Sequence, residues 1–236
     1  RPLRFNLCHR KGKTMGLFYA AIEAFDPQGQ VEMQDEMDYG GEARFFVLEA
    51  DTLSEALAVL SNSMQTNSLR LDRVLFAGDV EDFDEEVVPF EVDLDSMVAA
   101  AKESGEICVT EAHAFEPDET DGTLSGVYAC CIDAFDPEWA DEDEGEYAGH
   151  YQLVVIKAET AAEALQMLVE ELAAEDISLL SIEGLVDAAA FPFDAYEFTF
   201  EEEDPVSEAL DVGGMILSNA YAYPPEAAEE PRRLDS

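Results

Sequence analysis

The sequence predicts an α+β fold made of two tandem homologous domains, each an antiparallel sheet with helices on one face. Three observations lead there. The phrase "AAIEAFDP" at 20–27 returns as "CCIDAFDP" at 130–137. Two further segments repeat in the same order at nearly the same offset. Apolar residues make up 47% of the 236, with fourteen Phe and eight Tyr, so each copy has material for a core.

The repeat covers most of the chain. "GLFYAAIEAFDP" (16–27) matches "GVYACCIDAFDP" (126–137) at an offset of 110. "FFVLEADTLSEALAVL" (45–60) matches "LVVIKAETAAEALQML" (153–168) at 108, and "TEAHAFEP" (110–117) matches "SNAYAYPP" (218–225) at 108. A period of this size means whole domains, because solenoid units run to roughly 20–50 residues. The expected organisation is a basic arm (1–13), a first acidic domain (14–117), a linker (118–125), a second acidic domain (126–225) and a tail (226–236).

Each copy predicts β-β-α-β-α-β. An apolar strand (16–25, 126–135) leads into an acidic loop, then a second apolar strand (44–50, 151–158). A helix follows, opened by Thr52-Leu53-Ser54-Glu55 or Thr160-Ala161-Ala162-Glu163, the spacing at which a Thr hydroxyl accepts a free N–H of the first turn. Leu53, Leu57, Leu60 and Met64 recur at helical spacing, as do Ala161, Leu165, Leu168 and Leu172. A third strand (69–78, 177–186), a short helix (94–103, 205–211) and a last strand (106–115, 215–223) complete the copy.

The charge is the unusual property. Fifty-five Asp and Glu face twelve Lys and Arg, a net −43. Arg1, Arg4, Arg10, Lys11, Lys13, Arg232 and Arg233 lie at the termini, so residues 14–231 keep only five basic residues against 54 acidic ones. A globule of this mass exposes roughly 10,500 Å², or about one net charge per ~245 Å². B-DNA carries about one per ~110 Å² of its cylinder. Such density opposes compaction by self-repulsion, so it needs a use.

The copies share apolar positions and caps but differ in where charge is laid. Residues 79–95 hold nine acids, and the matching 187–203 hold six. The loop after the first strand is acidic in both, with Glu32, Asp35, Glu36, Asp38 and Glu42 in one and Glu138, Asp141, Glu142, Asp143, Glu144 and Glu146 in the other. A scaffold kept while charge moves over it fits a demand for surface charge better than a catalytic geometry.

Signals of chemistry are thin. No GxSxG, HExxH, P-loop or GxGxxG occurs, and no catalytic residue, cofactor or enzyme activity is expected. Cys8, Cys108, Cys130 and Cys131 have no CxxC or Cys/His spacing and read as structural thiols in a reducing cytoplasm. "DEDEGEYAGHYQ" (141–152) misses the EF-hand pattern, since Gly145 is fifth and Gln152 twelfth, so no metal site is expected. His113 reads as a half-exposed strand residue. His150 ends an acidic loop, where a neighbouring carboxylate would favour its charged form. Trp139 and Tyr147 fit either an interface anchor or a packing role.

"RKGKTMGLFYAAIEAF" has a basic start and a short apolar run, but Glu23 interrupts it and the segment recurs mid-chain, so it reads as a strand and not a leader. No run of ~18 apolar residues predicts a membrane helix.

These features together predict a non-enzymatic inhibitor that imitates nucleic-acid charge. It would block the basic surface of a DNA- or RNA-handling protein such as a nuclease or a restriction, CRISPR or DNA-transfer component, as phage- and plasmid-encoded inhibitors do. It would not bind nucleic acid or membrane itself. The expected contact residues are Glu32, Asp35, Glu36 and Asp38; Glu81, Asp82, Asp84, Glu85 and Glu86; and Asp141, Glu142, Asp143 and Glu144. Two alternatives predict the same charge. One is a halophile's cytoplasmic protein, although Glu outnumbers Asp 33 to 22 and seven Met and fourteen Phe are generous for such a chain. The other is an acidic immunity or adaptor protein whose basic partner handles no nucleic acid.

Overall fold

The computed structural model describes residues 15–27, 39–85, 88, 90–116, 125–142, 147–201 and 204–224. The chain divides into two compact units, Arg1–Gly122 and Thr123–Ser236. Both are mixed α+β with antiparallel sheets, and the described residues form five helices.

In the first unit β1 (Gly16–Phe25) is central, flanked by β2 (Gly41–Ala50) and β3 (Arg70–Asp79). Helix α1 (Leu53–Thr66) joins β2 to β3, and α2 (Leu94–Ser104) follows β3. Short strands β4 (Cys108–Val109) and β5 (His113–Phe115) line the far edge of β2. The second unit repeats this course. Strand β6 (Val127–Phe135) is central between β7 (Gly149–Lys157) and β8 (Ser178–Asp187). Helix α3 (Pro137–Glu142) precedes β7, and α4 (Ala161–Ala174) and α5 (Pro205–Val212) follow. Strands β9 (Met215–Leu217) and β10 (Tyr221–Tyr223) pair with β7.

Local chemistry sets these boundaries. The Thr52 and Thr160 hydroxyls each accept a backbone N–H, from Glu55 and Glu163, at 3.1 Å. The Glu carboxylates reach one residue past the cap, accepting from Asp51 (3.2 Å) and Glu159 (2.7 Å). Helices α2 and α5 stop at Gly105 and Gly213, both left-handed, a conformation that costs glycine no Cβ clash. At the turns into β3 and β8, Ser68 (φ 61°) and Asp176 (φ 60°) occupy the left-handed region.

The single last strand expected in each copy is instead two short ones. The break falls at Thr110 and Ser218. The Thr110 hydroxyl accepts the Phe45 N–H (3.0 Å) while its own N–H donates to the Phe45 carbonyl (3.0 Å). Ser218 does the same to Leu153 (2.9 Å each). A hydroxyl replaces a carbonyl in the ladder, and the strand is interrupted there.

Helices do not cover one face only. In the second unit Val127, Ala129 and Cys131 join Leu153, Val155, Phe191, Tyr196 and Ala209 of α5 in one cluster. Tyr128, Cys130 and Ile132 point to the opposite face by the period-two alternation of a strand, and are as buried. Helix α4 packs on β7 and β8. The first unit has Tyr19, Ala21, Phe45, Val47 and α2's Met97 and Ala101 in one cluster, with Ala20, Ile22, Phe46 and Leu48 buried on the other side. Both faces of the central strands are therefore covered, and their continuous apolar runs are the sequence mark of it. Each buried Leu or Phe contributes about 1.5–3 kcal/mol.

Candidate functional site

The acidic stretch after β3 is the largest described part of the expected contact surface. Asp79 ends the strand, and its carboxylate accepts the Glu81 N–H (2.9 Å), closing a 3-10 turn over Val80–Asp82. Phe83 then turns inward. Its ring meets Tyr19 edge-on at 5.1 Å and Phe45 at 5.0 Å between centroids. Val88 is buried, and Phe90 stacks on His113 at 4.4 Å. Asp93 closes the stretch by capping α2, accepting the Ser96 N–H (3.2 Å) and hydroxyl (2.7 Å). Those two bonds, the hydroxyl's foremost, hold its carboxyl below the usual range.

Inward apolar anchors thus alternate with outward acids. Glu81, Asp82, Asp84, Glu85, Glu91 and Asp95 are all exposed. No Lys or Arg occurs between Arg73 and Lys102. Arg44, Arg70 and Arg73 are paired elsewhere in the sheet, with Glu42, Asp72 and Glu23. The field of the stretch reaches inward. Tyr19 is pushed up to about 12, first by burial and then by Asp82 and Asp84. Glu85, Val88, Phe90, Glu91, Val92 and Asp93 line a surface groove of about 750 Å³.

The matching stretch of the second unit is built differently. The Asp187 carboxylate is used in the turn, accepting N–H groups of Ser125 (2.7 Å) and Ala189 (2.9 Å). Phe191, Phe193, Tyr196, Phe198 and Phe200 then form an aromatic ladder, with Asp194, Glu197 and Glu201 outward.

The two expected acidic loops are described only at their roots. Glu32, Asp35, Glu36, Asp38, Glu86, Asp143 and Glu144 lie outside the described residues, as do the basic arm and the tail. Asp141 and Glu142 fall in the last turn of α3. The roots share a device that sequence reasoning missed. In the first unit the Tyr39 hydroxyl accepts the Asp26 N–H at 3.3 Å; in the second the Tyr147 hydroxyl accepts the Asp136 N–H at 3.0 Å. Each bond ties the start of an acidic loop to its end. The Tyr recurs 108 residues on, a signal available in the sequence. Asp136-Pro137 also signalled α3, since the Asp136 carboxylate accepts the Glu138 N–H (2.8 Å) and Pro suits a first helical position.

Tyr147 is buried and packs the loop down, with Trp139 edge-on to it at 5.8 Å and 38% exposed. His150 is buried, and the desolvation lowers its pKa, outweighing the Asp136 carboxylate that favours the charged form as the sequence led one to expect. His113 is exposed. Cys130 and Cys131 are buried free thiols, and burial pushes Cys130 up to about 12, which removes its nucleophilic form at neutral pH. Among the described residues no group of three His, Cys, Asp or Glu is placed to hold a metal ion, and no helix is long and apolar enough to cross a membrane.

No protein-family model matches this chain, and neither a curated protein nor a solved structure is significantly similar to it.

Proposed function

We propose that this protein is a non-enzymatic inhibitor that presents carboxylates in place of phosphates and covers the basic surface of a DNA- or RNA-handling protein. The observation that carries the reading is the stretch 79–95. Among its described residues every acid but the half-buried Asp79 is exposed and the apolar residues are anchored inward, and no basic residue interrupts the sequence. Anchoring matters because a carboxylate array on a fixed backbone loses less conformational entropy on binding than one on a loose tail. A field of one sign steers a basic partner and excludes acidic ones. The two units are products of duplication, a reading supported by their common element course and by the paired Tyr tethers. Duplication then doubles the charged surface. The free thiols Cys108, Cys130 and Cys131 support placement in a reducing compartment, the cytoplasm.

The test begins with affinity capture from a candidate host lysate at low salt, followed by elution as salt rises. The captured protein is then challenged with duplex DNA or RNA. Competition is expected. Replacing Glu81, Asp82, Asp84 and Glu85 together by their amides is expected to slow association at least tenfold, while single changes have little effect because each exposed pair contributes only ~0.2–1 kcal/mol. Simultaneous binding of the nucleic acid and this protein, without mutual loss of affinity, would overturn the proposal in favour of an acidic adaptor.

A further inference from the structure

The groove along the acidic stretch differs from the bare charge around it. Its floor is apolar: Val88 is buried, and Phe90 and Val92 are half-buried, all three packed on the core cluster of the first unit. Its rim is anionic, with Glu85, Glu91 and Asp93 exposed. The groove, about 750 Å³, is open to solvent, as a surface that takes an extended segment must be. An apolar floor beneath carboxylates suits one chemistry in particular. A long aliphatic stem ending in a cation lays its methylenes on the floor and keeps its head at the rim.

Other occupants fit poorly. A metal ion needs converging ligands, and among the described residues no three are so placed. A second copy of this chain would bring a net charge of −43 against the same rim. A neutral apolar ligand would leave the carboxylates without a counter-charge. Between the two basic side chains, the planar and weakly hydrated guanidinium stacks on an aromatic ring and pairs with two oxygens at once, whereas an ammonium is a compact and strongly hydrated point charge. Glu85 and Glu91 supply the oxygens, which is the ground for arginine here, since His113 already stacks on the Phe90 ring.

We infer that this groove takes an extended arginine-bearing segment of the partner, with an adjacent apolar side chain seated on Val88, Phe90 and Val92. The inference rests on the reading of this protein as a binder of a basic protein, and names where specificity is added to charge. General attraction then comes from the whole acidic surface, and discrimination among basic partners comes from the floor of the groove.

The experiment uses the full chain and labelled synthetic peptides, read by fluorescence anisotropy at 150 mM NaCl. Three nine-residue probes suffice: four Arg spaced by Gly around a central Leu, the same peptide with Gly for Leu, and the Leu peptide with Lys for Arg. The Arg/Leu peptide is expected to bind about tenfold more tightly than the Arg/Gly peptide and several-fold more tightly than the Lys/Leu peptide. E85Q/E91Q is expected to weaken the Arg/Leu peptide about tenfold. The control E170Q/E171Q, which removes two exposed charges from α4, is expected to change it less than twofold. Val92→Ser should erase the preference for Leu, and shifts of the Val88 and Val92 methyl resonances in the unmutated protein locate the contact without relying on that variant. Equal binding of the Leu and Gly peptides, or equal weakening by the two double variants, would overturn the groove. The parent reading fails differently, through the absence of competition between nucleic acid and this protein for the captured partner.

Discussion

The Tyr147 hydroxyl stands 2.7 Å from His150 Nδ1 while it accepts the Asp136 N–H at 3.0 Å. A phenol has one proton. The oxygen has two lone pairs, and the Asp136 N–H fills one, so the bond to Nδ1 is made by the phenol proton or by an Nδ1 proton according to the imidazole's tautomer. The pair pins the acidic loop of the second unit to β7.

Removing this hydroxyl should cost more than removing its counterpart. Tyr147→Phe loses two bonds and leaves the Asp136 N–H and a buried ring nitrogen to find new partners, at a cost of about 1–3 kcal/mol. Tyr39→Phe loses one bond, 3.3 Å long, and should cost under about 1 kcal/mol. Urea titrations of the two variants against the parent check the order.

Burial of the same imidazole makes stability depend on pH. His150 has its pKa lowered from 6.5 by burial, so below pH 6.5 the unfolded chain takes up the proton first. Stability from this site is complete above about 6.5 and falls as pH drops below it, through the lowered folded value. Carboxylate repulsion also relaxes on acidification, so the readout is a difference. The gap in melting temperature between the parent and His150→Asn should be widest near pH 7.5 and narrow steadily below 6.5. A constant gap across that range would contradict the assignment.

Glycine at two corresponding places is required by an aromatic neighbour. A Cβ at Gly149 would overlap the Tyr223 hydroxyl, which both Asp133 carboxylate oxygens hold at 2.8 Å. At Gly41 a Cβ would come within 2.7 Å of the Phe115 ring, which has no such tie. Gly149→Ala should therefore cost about 1–3 kcal/mol, as overpacking does. Gly41→Ala should cost a similar amount, because the Phe115 ring can swing aside but the Ala24 carbonyl, 3.0 Å from the same Cβ, is backbone. Thermal melts of both variants check this.

Salt should stabilise this protein without being needed to fold it. Raising NaCl from 0.1 to 1 M shortens the screening length from about 10 to about 3 Å. Relief of repulsion worth about 2 kcal/mol would raise the melting temperature by roughly 4–8 °C for a chain of this size. Calorimetry is expected to show a cooperative transition already at 0.1 M NaCl. A chain unfolded at that concentration would instead support the halophilic reading.

Much of the framework was legible because it rests on local rules. Thr52 and Thr160 announce their helices three residues ahead of a Glu, and strands β1 and β6 stand out by their shared phrase. The break at Thr110 and Ser218 was not legible. A hydroxyl that replaces a carbonyl in a ladder looks, in sequence, like any polar residue in a strand. The second covered face was readable in principle from runs such as "VYACCI" and "FFVL", but a continuous apolar run also suits a buried helix. At the candidate site, charge was visible and relief was not. Nothing in "DVEDFDEEVVPFEVDLD" tells which apolar residues turn inward, and only the packing of Phe83 on Tyr19 and Phe45 does.

The burial of the central strands on both faces has a consequence for how such a protein changes over generations. Residues such as Ala21, Cys130 and Val154 are fully buried, so substitutions there are limited by volume. Among the described residues most carboxylates lie off the strands, where a change of sign disturbs little packing. Changes to surface charge and changes to the core are then nearly independent, and the two units, alike in their course of elements, carry unlike acid patterns.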